Sequence, residues 1–258
     1  MVFILARHRD TKISEELLQL KSHRAAHNLF KILEHLFSTL ATLYVTRSKN
    51  WVPWYIGGSG GLVVDGLIDM PFTSMDRDGY FVGLLLLGLP LQQTIQHFFI
   101  RERSLEYSEM SLHHLAHLSL SSSFLFANMI PLGIVVMILH DVSDIPVHMS
   151  KFFHLMKFDA MAIVTMILTE ITWFWGRLFS LPLLIIDIWQ NCVYGAGREH
   201  LQPYVIFSLV FLSVLQMLHV YWYMLIQAVI YSSLIGKPKD YQNDLSRFEQ
   251  PDGKSKEL

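Results

Sequence analysis

The stretch that decides the fold is Glu109–Lys151, EMSLHHLAHLSLSSSFLFANMIPLGIVVMILHDVSDIPVHMSK. It holds two apolar runs of membrane-spanning character, and Asn128-Met129-Ile130-Pro131 marks a tight turn between them, because proline cannot continue the first helix. Histidines and aspartates gather toward the outer ends of the two runs: His113, His114, His117, His140, Asp141, Asp144 and His148. Titratable groups are costly inside a bilayer, so this clustering indicates a functional site.

The composition places the whole chain in the same class. Hydrophobic residues make up 52% and charged residues 16% of the 258 residues, whereas soluble domains carry about a quarter charged residues. We therefore predict an all-α fold, a polytopic transmembrane helical bundle or barrel of about six spans. The net charge of −2 gives no electrostatic footprint for nucleic-acid binding. The single Cys192 excludes an intrachain disulfide framework and a multi-cysteine zinc site.

Hydrophobic segments and charges divide the chain into three parts. We predict a cytosolic amphipathic segment over residues 1–28, a six-span catalytic domain over residues 29–235 and a cytosolic tail over residues 236–258. The predicted spans are Leu29–Val45, Tyr80–Ile100, Ser111–Asn128, Pro131–His148, Phe153–Trp175 with a kinked extension past Pro182 to about Trp189, and Pro203–Leu234. Gly57-Gly58-Ser59-Gly60-Gly61 lacks the lysine of a phosphate-binding loop and is interpreted as a flexible turn.

Basic residues predict the orientation of the spans. Lysine and arginine lie mostly on the side of the two termini, which places both termini in the cytosol. The chain ends in Lys254-Ser255-Lys256-Glu257-Leu258, whose two lysines resemble the dilysine retrieval signal of endoplasmic reticulum membrane proteins. We therefore expect a multi-pass protein of that membrane.

This orientation brings both polar ends of the central hairpin to the cytosolic side. On helices, His113 and His117 share one face, and His140 and Asp144 share another. The set suits acyl transfer, in which a neutral imidazole acts as base or accepts the acyl group while a carboxylate orients it. It also suits a metal site, because histidines four residues apart can ligate iron or zinc. The third interpretation is a set of structural histidines.

A resemblance to a known family favours acyl transfer. His113-His114, Asn128, Gly133, His140-Asp141-x-Ser143-Asp144 and Lys151 resemble the Lag1 motif of the ceramide synthases. Leu215-Gln216-x-Leu218-His219-x-x-Trp222-x-x-Leu225-Ile226 resembles the pattern of that family's last span. The resemblance covers about residues 30–234, the TLC domain. His117 and His148 stand where the family usually has threonine and glutamate, and Pro131 where it has arginine.

The resemblance implies a helical barrel around an apolar tunnel and the activity of a sphingosine or sphinganine N-acyltransferase. An acyl-CoA from the cytosol would meet a sphingoid base from the bilayer to give a ceramide, and acyl-CoA is a co-substrate with no further cofactor and no metal. A homodimer is among the assemblies it allows. The implied catalytic residues are His113, His114, His140, Asp141 and Asp144, and the implied substrate-binding residues are Asn128, Lys151, His219 and Trp222.

Roles follow from the same resemblance. His113 or His114 is expected to act as base or acyl acceptor while the other holds the thioester carbonyl, and the two aspartates orient the histidines. His140 and Asn128 are expected to complete the polar wall of the site.

Two alternatives stay open at this point. One is a TLC-fold lipid carrier or sensor without catalysis, and the other is a histidine-ligated di-iron lipid oxygenase. Two further contacts are expected. Lys31 pairs with Glu34 or His35, and Arg177 and Asp187 pair with each other or contact substrate.

Overall fold

The computed structural model describes residues 15–67, 77–100, 107–194 and 199–234. Within these ranges the chain is helical, with no strand. The helices are α1 (Glu15–Thr46), α2 (Arg77–Ile95), α3 (Tyr107–Phe126), α4 (Ile130–Leu155), α5 (Asp159–Trp173), α6 (Leu181–Ile188) and α7 (Gln202–Leu234). Wider π-helical turns follow α2, α5 and α6 at Gln96–Ile100, Phe174–Ser180 and Trp189–Val193. The predicted all-α class is confirmed.

Helix α4 is the centre of the bundle. Helices α1 and α5 pack along it, while α2 packs on α3 and α3 on α7. Three helical stretches in the described ranges are long and apolar enough to cross a membrane, namely Ile130–Leu155, Asp159–Val193 and Glu199–Ala228. In Ile130–Leu155, 78% of the most apolar part is buried inside the protein, so α4 is surrounded by other helices. In the other two stretches only 39% and 33% is buried, so they expose apolar faces. The protein is therefore a multi-pass membrane bundle.

Helix α1 is less apolar, but its faces are arranged as lipid requires. Its buried side carries Lys31, His35, Ser38 and Thr42, which are spaced by four, three and four residues and so share one face. Its outer side exposes Leu29, Phe30, Leu33, Phe37, Leu40 and Tyr44. A helix that buries polar groups and exposes apolar ones suits a hydrocarbon surrounding, where polar groups must find partners inside the protein.

Three boundaries differ from the sequence prediction. Helix α1 begins within the segment expected to lie on the membrane surface, and Ala25 packs against Leu155 and Met156. The same packing carries α4 to Leu155, past the predicted end at His148, and α5 accordingly begins at Asp159. The proposed division at residues 28 and 235 stays a prediction. Residues 1–14 and the tail with its dilysine pattern lie outside the described residues.

The glycine-rich segment forms a compact turn. Gly57 and Gly60 have φ of 86° and 95°, a left-handed conformation that glycine adopts most readily. A Cβ at Gly58 would collide with the carbonyl of Val52, and one at Gly61 with the carbonyl of Asn50. The segment is therefore a turn, as predicted, and it is folded back on the chain that precedes it.

We expect Gly176→Ala to destabilise the bundle. A Cβ at this position would lie 2.9 Å from the carbonyl oxygen of Leu139, so α4 and the turn after α5 would have to move apart. Overpacking of this kind costs about 1–3 kcal/mol. The measurement is thermal unfolding of detergent-purified protein. Gly88→Ala is the matched control, since a Cβ added at Gly88 would have no atom within 4 Å. Equal midpoints for the two variants would contradict this packing.

Candidate functional site

Four histidines from three helices form one group, called the histidine cluster below. His113 and His117 come from α3, His140 from α4 and His219 from α7. The ring centroids of His113 and His117 are 5.7 Å apart, those of His117 and His140 5.6 Å, and those of His140 and His219 4.9 Å. Trp222 lies 5.2 Å from His113. The packing of α3 on α7 thus brings together two motifs that lie about a hundred residues apart in the sequence.

The hydrogen bond of His140 fixes its tautomer. Its Nδ1 lies 2.7 Å from the carbonyl oxygen of Val136, which can only accept, so Nδ1 carries the proton and the neutral ring keeps its lone pair on Nε2. This Nε2 is buried and has no hydrogen-bond partner among the described residues, and the same holds for Nδ1 of His113 and both ring nitrogens of His219. Buried polar atoms are almost always paired, so such a group marks a place where a water molecule or a polar ligand can bind.

A cleft opens beside the cluster, and its walls differ in polarity. Helix α2 contributes a largely apolar wall, while α1, α3 and α4 contribute polar groups. The lining residues are His35, Leu86, Leu89, Pro90, Gln93, His113, His117, Met137, His140, Asp141 and Asp144. The cleft thus sets an apolar surface opposite a group of polar side chains.

Asp141 orients a histidine that lies outside the predicted motif. Its Oδ1 is 2.8 Å from Nδ1 of His35, and its Oδ2 accepts a hydrogen bond from the hydroxyl of Ser38. Lys31 pairs with Glu34 at 2.9 Å, which confirms the first of its two predicted partners and leaves His35 to Asp141. The expectation that Asp141 orients the motif histidines is wrong, because α1 supplies the nearer partner.

Asp144 holds an arginine. Its Oδ1 is 2.5 Å from a terminal nitrogen of Arg177, whose Nε donates to the hydroxyl of Ser143 at 2.7 Å. The same terminal nitrogen donates to the carbonyl oxygen of His140 at 3.2 Å. The predicted pairing of Arg177 with Asp187 is therefore wrong, since the π-helical turn aims the arginine at α4. Arg177 ties this turn to the backbone of His140.

His114 points away from the cleft. Its ring centroid is 4.8 Å from that of His97, which follows α2, and it does not line the cleft. Neighbouring residues on a helix point about 100° apart, so His113 and His114 face different helices. The expectation that His114 holds a carbonyl beside His113 does not fit this placement.

Two predicted substrate-binding residues lie outside the cleft. Asn128 occupies the turn between α3 and α4 with φ of 57°, and at the helical rise this is about 22 Å along α3 from His113. Lys151 is exposed and lies about 16 Å along α4 from His140. Asn128 therefore does not complete the polar wall, which His117 and His35 provide instead.

The sequence did not indicate that His35 and Ser38 belong to the site, and the partner expected for Arg177 was wrong. One signal was present in the sequence. His35, Ser38 and Thr42 lie at helical spacing inside the first predicted span, and polar residues in a span need partners within the protein. Two acids in the central hairpin needed partners as well. Pairing the polar residues of the first span with the aspartates of the central hairpin would have predicted that α1 packs against α4.

A metal site requires that several ligand side chains converge on one point. In the described part of the chain, no three His, Cys, Asp or Glu side chains come together in an arrangement that could hold a metal ion. The imidazoles of the cluster approach one another mainly through their ring faces and edges, as in the stacked His117 and His140 with an interplanar angle of 19°.

Comparison with known proteins places the chain in a family. A family model described as the TLC domain, which covers TRAM, LAG1 and CLN8 proteins, matches residues 24–228. Ceramide synthase 4 of Bos taurus is 27% identical over 188 residues, which cover 65% of this chain and 47% of that protein. Human ceramide synthase 5 is 30% identical over 183 residues, covering 63% and 46%.

Human ceramide synthase 3 is 35% identical over a shorter stretch of 115 residues, covering 43% of this chain and 28% of that protein. The chain thus spans about half the length of the curated relatives it matches or less. The match of the family model over most of the chain and these relatives support the same assignment as the histidine motif. The chain belongs to the TLC-domain family, and the relatives to which it is similar are ceramide synthases.

Proposed function

We propose that the protein is a ceramide synthase-like N-acyltransferase that joins the acyl group of an acyl-CoA to the amine of a sphingoid base. The observation that carries the proposal is the state of His140. A buried imidazole with a fixed tautomer and an unpaired Nε2 lies beside a cleft with one apolar wall. That arrangement suits a base acting on an amphipathic amine. The family assignment supports the same chemistry.

The proposed reaction is one acyl transfer. The amine nitrogen attacks the thioester carbonyl carbon while Nε2 of His140 accepts a proton from it. The new C–N bond forms, the C–S bond breaks, and the proton passes from His140 to the sulfur that leaves as CoA thiol. Nδ1 of His113 is proposed to donate a hydrogen bond to the carbonyl oxygen, where negative charge develops.

Other residues are given supporting roles. His117 lies between His113 and His140 and keeps their rings apart, with centroids 5.7 and 5.6 Å from its own. Arg177 holds the backbone of His140 in place. Lys151 is proposed to meet phosphates of CoA, which the pantetheine arm keeps far from the reacting sulfur. We also propose an endoplasmic reticulum location, on the dilysine pattern at residues 254–258, and a cytosolic position of both termini, on the distribution of basic residues.

Purified protein supplied with an acyl-CoA and a sphingoid base tests the proposal. Mass spectrometry is expected to detect the N-acyl amide, with one CoA thiol released for each amide. Lipid that binds without forming amide would favour a carrier or sensor. Iron in stoichiometric amount, together with oxidised lipid in place of amide, would favour the oxygenase and contradict acyl transfer.

A further inference from the structure

A second histidine–carboxylate pair lies on the wall of the cleft, apart from the histidine cluster. His35 lines the cleft and its Nδ1 is 2.8 Å from Asp141, whose other oxygen accepts from Ser38. All three residues are buried. An ionised carboxylate only accepts hydrogen bonds, so Nδ1 of His35 carries a proton and the neutral ring presents Nε2 as an acceptor. The pair has the orientation of a general base held by a carboxylate.

The charges around the cleft favour a cation. Asp144 is neutralised by Arg177, and Glu34 by Lys31. Asp141 has no lysine or arginine within ion-pair distance in the described ranges, and its partners are His35 and Ser38. With His35 neutral, the pair therefore carries one negative charge in a buried place. Such a charge is stabilised by a cation or by a proton taken up at His35.

The amine substrate of the proposed function must lose a proton before it can react. An alkyl amine resembles the lysine side chain, whose pKa is about 10.4, so it arrives as an ammonium ion. Conversion of an ammonium to an amide releases two protons. One leaves on the CoA thiol through His140. The other must be removed before the nitrogen has a lone pair with which to attack.

We propose that His35, oriented by Asp141 and Ser38, is the base that removes this first proton from a cationic primary amine. An N–H bond of the ammonium breaks, its electron pair stays on nitrogen, and an N–H bond forms at Nε2 of His35. The resulting imidazolium is neutralised by Asp141 and returns its proton to solvent after the product leaves. The inference rests on the proposed acyl transfer and adds the charge state of its acceptor substrate.

The test compares two amines in wild-type protein and His35→Gln. Glutamine can still donate to Asp141 but cannot take up a proton. With an ordinary sphingoid base we expect kcat to fall about 100-fold, a typical contribution of a general base. With an analogue whose electron-withdrawing substituent keeps the amine neutral, we expect most of this loss to disappear. His148→Gln is the matched control, because His148 stacks on His35 with centroids 5.6 Å apart but does not line the cleft.

The possible outcomes distinguish a failure of the role of His35 from a failure of the proposed acyl transfer. Absence of amide with wild-type protein would overturn the proposed function itself. Amide formation by wild type with an equal loss for both amines in His35→Gln, or with no loss, would overturn the role of His35 alone. An equal loss in His148→Gln would do the same, since the defect would then follow from the packing of α1 on α4. Rescue of His35→Gln by the neutral amine, with His148→Gln near wild type, supports the inference.

Discussion

His140→Asn is expected to lower the rate of amide formation by about 100- to 10,000-fold, the range contributed by a general base. The asparagine amide can still donate to the carbonyl of Val136, so the local structure of α4 is kept. What disappears is the lone pair on Nε2, which is buried and has no hydrogen-bond partner among the described residues. The measurement is the initial rate of amide formation at saturating acyl-CoA and amine.

His154→Asn is the control for this variant. His154 lies in the last turn of the same helix and is exposed, so its substitution leaves the cluster unchanged. Thermal unfolding of both variants establishes that they are folded. A folded His140→Asn protein with the wild-type rate would remove His140 from the reaction.

Arg177→Met is expected to cost about 3–5 kcal/mol of stability, as breaking one side of a buried ion pair does. The guanidinium is 3% exposed and binds Asp144, Ser143 and the carbonyl of His140. It also lies over the ring of Trp173, 4.0 Å from its centroid. Loss of the arginine leaves these acceptors unpaired and a carboxylate without its cation. Unfolding midpoints in detergent are the measurement.

A double-mutant cycle tests whether Arg177 and Asp144 stabilise the protein as a pair. Asp144→Asn removes the carboxylate, which is 26% exposed and therefore partly solvated. We expect the double variant Arg177→Met with Asp144→Asn to lose less stability than the sum of the two single variants, because each single change leaves the other charge unpaired. Strict additivity would mean that the two side chains do not act as a pair.

Much of the fold could be predicted from local sequence. Apolar runs and the turn at Asn128 place the helices, because lipid selects helices with apolar outer faces. The histidines of α3 and α4 were recognised from their clustering toward the ends of two apolar runs and from the resemblance to the Lag1 motif. Helix ends were harder: α4 runs past the predicted end at His148 to Leu155, where Ala25 of α1 packs against it.

The partners in the site could not be predicted in the same way. His35 and Asp141 are 106 residues apart in the chain, and Arg177 and Asp144 are 33 apart. Spacing along one helix says which residues share a face, but it does not say which helix packs against that face. The direction of Arg177 depends further on the wider π-helical turn at Phe174–Ser180, for which the sequence carries no clear signal.

We propose that the histidine cluster transfers an acyl group from a thioester to an amine. A single-turnover experiment with labelled acyl-CoA and a sphingoid base tests it most directly, by following CoA thiol and N-acyl amide together. We predict equal amounts of thiol and amide in the wild-type protein, and a parallel loss of both in His140→Asn. Amide formation that is unchanged in the variant, or thiol release by wild type without any amide, would contradict the claim.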